Sequence, residues 1–223
     1  IKPGNSMALM KKDMGGAAQA LGLASMIMDR GLPIRLRVLI GAVENAISGV
    51  AFRPGDVLRS RKGLTVEIGN TDAEGRLVLG DALAFADEES PDLMVDFATL
   101  TGAARVALGP DLPAFYTKDK ALADDLTLTG EDVADPIWPM PLWPRYERWL
   151  SSSVADISHI SSQPFAGSIT AALFLQRFVE NARSYAHYDV YAWNAEARPG
   201  RPKGGEAQGI RALYQWLCVR YGD

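Results

Sequence analysis

An alternating run from Leu64 to Ile68 gives way to the polar loop Asn70-Thr71-Asp72-Ala73-Glu74-Gly75-Arg76, which opens directly onto an apolar segment from Leu77 to Phe85. Alternation at period two predicts a half-buried strand, and the apolar segment predicts a helix. A strand feeding a helix through a short loop is the repeating unit of α/β folds, whose ligands bind beyond the carboxyl ends of the strands. In an extended loop Asp72 and Glu74, two residues apart, point the same way, and Arg76 continues the alternation. Two carboxylates aimed at one point repel unless a cation or a proton lies between them. The same residues would also make an ordinary solvated turn, and spacing alone does not separate the two.

The remaining segments repeat the strand-and-helix theme. Asp13 to Arg30 is small and apolar and ends at Gly31 with Pro33 beyond, which predicts a buried helix with a glycine stop. Gly15 and Gly16 at its start let the backbone approach a neighbouring strand or a ligand. Arg35 to Val43 alternates and predicts a sheet strand. Glu44 to Gly49 leads into the turn Arg53-Pro54-Gly55-Asp56. Arg59 to Ile68 reads as a hairpin around Lys62-Gly63, and Leu93 to Phe97 is a short apolar run typical of a buried strand. Further along, the pattern predicts a helix through Ala103 to Ala107, a strand at Ala114 to Thr117 and a helix from Ala121 to Val133. Pro136 to Pro144 and Ser151 to Phe165 read as loops. A helix from Ser168 to Ala182, N-capped by Ser168, a strand from Tyr185 to Trp193 and a helix from Ala207 to Tyr221 complete the chain. No internal repeat or linker interrupts it. The expectation is one α/β domain, 1–223, with a largely parallel mixed sheet covered by helices on both faces.

Charge narrows the range of partners. With 23 basic and 27 acidic side chains the balance is 23 − 27 = −4, which gives no electrostatic footprint for nucleic acid or an anionic membrane. A single cysteine, Cys218, makes no internal disulfide, which fits a reducing compartment. No apolar run approaches the ~20 residues that cross a bilayer. These features predict a cytoplasmic protein.

Asp13, Asp72 and Glu74 are carboxylates on separate segments that a metal would bring together. Oxygen ligands suit Mg or Mn by hardness, and Zn accepts them when the geometry is imposed, so the residues alone do not choose the ion. Asp13 also reads as an N-cap ahead of Met14-Gly15-Gly16. His187 and Asp189 with Ser168 or Ser151 suggest a serine triad on paper, but no Gly-x-Ser-x-Gly elbow precedes any serine. His159 reads as a loop hydrogen-bonding residue.

Asn-Thr-Asp-Ala-Glu-Gly-Arg-Leu at 70–77 is, as a string, the signature of the leucyl aminopeptidase family of di-zinc hexameric aminopeptidases. Ile1-Lys2-Pro3 with Lys12-Asp13-Met14-Gly15-Gly16-Ala17-Ala18 resembles that family's first catalytic segment. Asp96 to Ala103 resembles its substrate-side strand and turn, and Ala186-His187-Tyr188-Asp189 a late strand. The resemblance runs essentially end to end and implies a zinc-peptidase-like catalytic domain that removes N-terminal residues from peptides through a water activated by two metals. It implies two zinc ions, with manganese or cobalt able to exchange, on Asp13, Asp72 and Glu74. It implies catalytic roles for Lys2 and Arg76, with a bicarbonate on Arg76 as proton shuttle. Met10, Thr99, Leu100, Gly102 and Ala103 match the lining of the pocket for the substrate's first side chain. A homohexamer, built as a dimer of trimers, is also implied.

Two departures from the family pattern stand out. Where relatives carry an Ala-Gly pair, this chain has Tyr191-Ala192, and a bulky Tyr191 in the first pocket predicts a preference for small first residues over leucine. The family's segment ahead of Ile-Lys, which supplies a lysine and an aspartate to the metals, has no counterpart here. The resemblance therefore implies a catalytic domain without its first strands and without the family's N-terminal domain. The rival readings are a DNA-binding or assembly relative, against which the net acidity argues, and a di-metal phosphoesterase.

Overall fold

Three strands buried on both faces organise the molecule, whose computed structural model describes residues 7–44 and 51–222. On β3 (Met94–Ala98), β4 (Ala114–Thr117) and β7 (Tyr185–Asp189), successive side chains enter opposite layers. Phe97, Phe115, Ala186 and Tyr188 face a core built with Leu23, Ile27, Leu122, Leu126, Leu213 and Leu217. Those partners come from α1 (Gly15–Arg30), α4 (Lys120–Asp132) and α6 (Ile210–Tyr221). Met94 and Tyr185 face the other way, towards Leu83, Phe174 and Phe178, which belong to or closely follow α2 (Gly75–Asp87) and α5 (Gly167–Gln176). Ala114 and Tyr116 pack on that second side with Ala104 and Ala172. With both faces covered, the strands are apolar on both sides, apart from Asp96, His187 and Asp189, which are buried and hydrogen-bonded.

The central sheet runs β3-β7-β4-β5, with β5 at Trp138–Pro139. β3 and β7 are parallel, β4 and β5 are parallel, and β4 meets β7 antiparallel. A second sheet joins β1 (Val57–Arg59) to β2 (Thr65–Glu67) as the expected hairpin, with β6 (Ile157–Ser158) parallel to β2. A short antiparallel pair links β8 (Trp193–Asn194) to β9 (Gly204–Gly205). The remaining helix, α3 (Arg105–Leu108), is a single turn. The mixed α/β expectation with helices on both faces holds.

Local chemistry accounts for most element ends. Gly31 ends α1 in the left-handed region at φ 68°. Asp119 caps α4 by accepting from the Leu122 N–H at 3.1 Å. The Arg53–Asp56 turn closes with Gly55 at φ 94° and the Arg53 N–H on Asp56 Oδ2 at 2.7 Å.

Several sequence expectations need correction. The strand expected from Tyr185 to Trp193 ends at Asp189. The loop expected to extend through Asp72 and Glu74 is a 3-10 turn running into α2, so period-two alternation does not hold there. Residues 35–43 form no strand and join no sheet among the described residues. The nearest open edge is β3, and a cavity of about 570 Å³ lies between it and residues 34–39. With no strand within hydrogen-bond reach, the segment is anchored by Arg35 and Arg37 pairing with Glu89. The residues 45–50 that follow lie outside the described set.

Ser168 is not a cap, because it is buried and its hydroxyl accepts from Tyr116 at 2.6 Å. The cap position of α5 belongs to Ala166. Finally, α5 stops at Gln176 rather than Ala182. The buried Asp87 carboxylate takes the N–H groups of Glu180, Asn181 and Ala182 at 2.8–3.0 Å, and a helix would need those donors for its own carbonyls. Asp87→Ala, which leaves these donors without their acceptor, is expected to cost about 2–3 kcal/mol. Urea unfolding measures that cost, and an unchanged midpoint would show that water replaces the carboxylate.

Candidate active site

Three loops meet at the carboxyl ends of β2, β3 and β7. The first is the 3-10 turn Met10–Met14, which runs straight into α1. Its position follows from glycine: a Cβ on Gly16 would lie 2.1 Å from the Phe97 carbonyl oxygen, and one on Gly15 would lie 2.4 Å from the Ala192 Cβ. The helix start therefore lies directly on the end of β3, and this close approach is the use that the glycine pair was expected to have. Asp13 is consequently placed beside Thr99, whose hydroxyl donates to Asp13 Oδ1 at 2.7 Å. Asp13 has no capping role, since the residue at the N-cap position of α1 is Met14.

The second loop is the 70–76 stretch. Asn70 caps the 3-10 turn Thr71–Ala73 by accepting from the Asp72 N–H at 2.9 Å. Glu74 precedes the first residue of α2, and Arg76 lies in its first turn. Arg76 donates to the His159 carbonyl at 2.7 Å. Burial lowers its pKa to about 10, a shift the nearby Asp189 charge opposes, so it stays charged at neutral pH. The buried Arg76 Nε has no hydrogen-bond partner among the described residues.

His159 is the brace of this loop. Its Nε2 donates to the Asn70 carbonyl at 2.8 Å, and its Nδ1 accepts from the Gly69 N–H at 3.1 Å. Burial first, and then the Arg76 charge, lower its pKa against the pull of its backbone partners. It is a loop residue, as the sequence suggested.

The third loop, 99–103, is held from below by Asp189 at the end of β7. Asp189 Oδ1 accepts from the N–H groups of Leu100 and Thr101 at 3.1 and 3.0 Å. The Thr101 hydroxyl donates to Oδ2. Burial raises the pKa of Asp189, with His187 and these donors acting the other way. The Leu100 side chain approaches the start of α2, 3.8 Å from where a Cβ on Gly75 would lie. The same loop thus hydrogen-bonds Asp13 through Thr99 and comes near the 70–76 segment at Leu100.

No serine triad exists in this arrangement. His187 is buried on β7 and pairs with Asp96 at 2.7 Å, while Asp96 also accepts from the Tyr185 hydroxyl at 2.6 Å. Burial works to lower the pKa of His187, but the charge of Asp96 and its hydrogen bond raise it overall. Ser168 is occupied by Tyr116.

The three carboxylates are hard oxygen donors on segments that converge on one loop, so the donor chemistry fits divalent ions. The unpartnered Nε on Arg76 likewise fits a small anion. The side chains of Asp13, Asp72 and Glu74 do not form a closed cluster, however. Among the described residues no three His, Cys, Asp or Glu groups stand together as a metal site. Lys2 lies outside the described residues. Met10 is half-buried on the first turn, and Gly102 and Ala103 are exposed on the third loop.

Tyr191 follows β7, and its half-buried ring lies against Lys12 and Arg105. Sequence reasoning missed Arg105, Asp189 as a loop clamp, and Gln208. Gln208 Oε1 accepts from the N–H groups of Tyr191 and Ala192 at 3.1 and 2.9 Å. A buried Asp or Gln carries no local signal, and only the tertiary pairing shows its use.

Comparison with known proteins settles the family. The profile of the cytosol aminopeptidase family, catalytic domain, matches residues 1–214. The chain belongs to this family. A probable cytosol aminopeptidase from Chlorobium limicola is 42% identical over 218 residues, covering 97% of this chain and 43% of that protein. The crystal structure of cytosol aminopeptidase from Coxiella burnetii superposes with a TM-score of 0.95 at 56% identity, over 99% of this chain and 48% of that one. The bottromycin maturation enzyme BotP, solved in complex with Mn, superposes at 0.89 with 38% identity, over 99% of this chain and 50% of that one. The chain thus spans less than half the length of the curated relatives it matches. No helix among the described residues is long and apolar enough to cross a membrane.

Proposed function

We propose that this chain is the catalytic domain of a metal-dependent aminopeptidase that removes N-terminal residues from peptides. The observation that carries the reading is the convergence of the Asp13, Asp72–Glu74–Arg76 and 99–103 segments on one loop in a cytosol aminopeptidase fold. Asp13, Asp72 and Glu74 are the residues that would hold the ions. Two divalent ions there, zinc or manganese with cobalt as a substitute, supply Lewis acidity towards a peptide carbonyl and a water. The Mn in BotP supports an ion of this class.

The chain's own groups do the rest. Thr99 orients the Asp13 carboxylate, and Asp189 fixes the loop against which the substrate lies. Arg76, desolvated yet charged and with its Nε unpartnered among the described residues, is the residue that would hold a bicarbonate, a group that would supply proton-transfer chemistry there. Lys2 is assigned the carbonyl oxygen. Met10, Thr99, Leu100, Gly102 and Ala103 line the first-residue pocket. Family resemblance supports a homohexamer and a cytoplasmic location.

The test is hydrolysis of leucine- and alanine-p-nitroanilide by the full-length protein. Activity should disappear with a chelator and return with Mn²⁺ or Zn²⁺. Chelator-insensitive hydrolysis, or none from the metal-loaded protein, overturns the proposal. Tyr191→Ala should raise the leucine-to-alanine ratio of kcat/KM about tenfold, the scale on which one hydrophobic contact discriminates. An unchanged ratio would place Tyr191 outside the pocket.

A further inference from the structure

We infer that His187 is a positioning residue for the proposed reaction: a buried cation, clamped by Asp96, that keeps Asp189 negative and so keeps the substrate-side loop 99–103 fastened. The inference rests on the aminopeptidase reading and adds to it a residue behind the site rather than in it. Its basis is a line of buried polar side chains on one face of β7. Tyr185, His187 and Asp189 stand two apart on that strand, so all three point to the same side of the sheet. A rise of ~3.3 Å per residue puts each roughly 6–7 Å from the next. All three are buried, where water and salt screen charge poorly.

Both ends of the line are held. Asp96 of β3 lies opposite His187 in the parallel register. Its carboxylate pairs with His187 Nδ1 at 2.7 Å and accepts from the Tyr185 hydroxyl at 2.6 Å. At the other end Asp189 accepts the Leu100 and Thr101 N–H groups at 3.1 and 3.0 Å, and the Thr101 hydroxyl as well. His187 therefore stands between two buried carboxylates. Like charges brought into a dry interior repel, and a cation between them removes the repulsion. Imidazole is the side chain that can carry that charge near neutral pH and also lose it.

The groups facing His187 are Asp96 on β3, Tyr116 on β4, Arg76 on α2, and Tyr185 and Asp189 on its own strand. The Tyr116 ring lies 5.8 Å from the imidazole and its hydroxyl donates to Ser168 of α5. Burial keeps both phenols neutral. Burial also works against a charge on His187, and so does Arg76. Asp96, by charge and hydrogen bond, and then Asp189 outweigh them, so the imidazole holds its proton above its ordinary range. Burial likewise pushes the Asp189 carboxyl up, and His187 leads the groups that bring it back. His187 Nε2 is buried without a hydrogen-bond partner among the described residues, so the link to Asp189 is one of charge.

Without the imidazolium, Asp189 takes up a proton at higher pH. A neutral carboxyl accepts backbone N–H groups less well than a carboxylate, so loop 99–103 loosens. Thr99 in that loop orients Asp13, which carries the effect to the proposed metal site.

The experiment follows amide hydrogen exchange of residues 99–103, corrected for its intrinsic pH dependence, and kcat/KM for leucyl-p-nitroanilide. Both are measured from about pH 5 to about pH 9 on the full-length, metal-loaded protein. In His187→Gln the loop should lose protection at a higher pH than in the unaltered protein. The fall in kcat/KM towards acid should be about tenfold larger, the scale set by one opposite charge nearby. Asp96→Asn should reproduce both changes, because it frees the imidazole's proton while keeping an oxygen for Nδ1. The double variant should go no further than His187→Gln alone, since Asp96 acts on the loop only through His187. Asp189→Asn, which cannot titrate, should make the exchange insensitive to pH and to His187.

Should His187→Gln not fold, Asp96→Asn carries the test; loss of the fold in both overturns the inference, because the pair would then hold the fold rather than the loop. A loss of activity equal at every pH overturns it, as do additive shifts in the double variant. Exchange that shifts while kcat/KM does not follow removes the positioning role. If the unaltered protein hydrolyses no anilide, the aminopeptidase reading fails, and the exchange profiles still decide whether His187 governs the loop.

Discussion

Asp72→Asn and Glu74→Gln should each reduce kcat for peptide hydrolysis about a thousandfold or more while the protein stays folded. Both changes keep size and shape and remove one negative charge. The cap of the Thr71–Ala73 turn survives both changes, because Asn70 makes it rather than either carboxylate. The Asn70 carbonyl is in turn held by His159. Charge is what the proposed function needs from these residues, since each is assigned to hold a dication and an amide oxygen holds one far less well. Three readouts separate the cases: turnover, metal content per chain and the thermal midpoint. Loss of turnover with loss of metal and an unchanged midpoint fits the assignment. Near-normal turnover with metal still bound in either variant removes Asp72 and Glu74 from the site.

The same loop shows what was legible in the sequence. A strand, a polar loop and a helix were readable because alternation and apolar runs are local signals, and β2, the Thr71–Ala73 turn and α2 follow in that order. The glycine pair at 15–16 was readable as a close approach because glycine is unfavourable in a helix unless something needs the space. What it approaches was not readable, since the Phe97 carbonyl is distant in sequence.

The failures have the same origin. Residues 35–43 have a strand pattern, but a strand forms only beside a partner, and the edge of β3 stands across a cavity. The expected end of α5 at Ala182 ignored Asp87, which pulls the following backbone into a different turn. The positive rim around Tyr191 comes from Lys12 and Arg105, which look like ordinary surface charges until the fold brings them together.

Gly16→Ala is the substitution with the largest expected effect on stability, and its sign is diagnostic. Gly16 lies in the first turn of α1, where intrinsic propensity favours alanine by about 1 kcal/mol. Alanine also restricts the unfolded chain, which adds in the same direction. If the helix end were free, the change would stabilise the protein. The built Cβ instead meets the Phe97 oxygen at 2.1 Å, the Phe97 carbonyl carbon at 2.7 Å and the Ala98 Cα at 2.9 Å.

All three are backbone atoms of β3, paired to β7 through its full length, so they do not yield as a side-chain tip would. Relief requires α1 to lift from the sheet, which loosens Leu23 and Ile27 against Phe97. Overpacking of this kind should outweigh propensity and leave a net loss of about 3 kcal/mol. Gly22 supplies the control within the same helix. Its built Cβ reaches only the Ile210 Cδ1, at 3.5 Å, an ordinary contact, so Gly22→Ala should be neutral or gain up to about 1 kcal/mol. Urea midpoints of the two variants, measured side by side, should therefore move apart. If they move together, α1 does not lie on β3 as described. Lifting α1 also carries Asp13 away from Thr99, so Gly16→Ala should lose activity even where it remains folded, while Gly22→Ala should keep it.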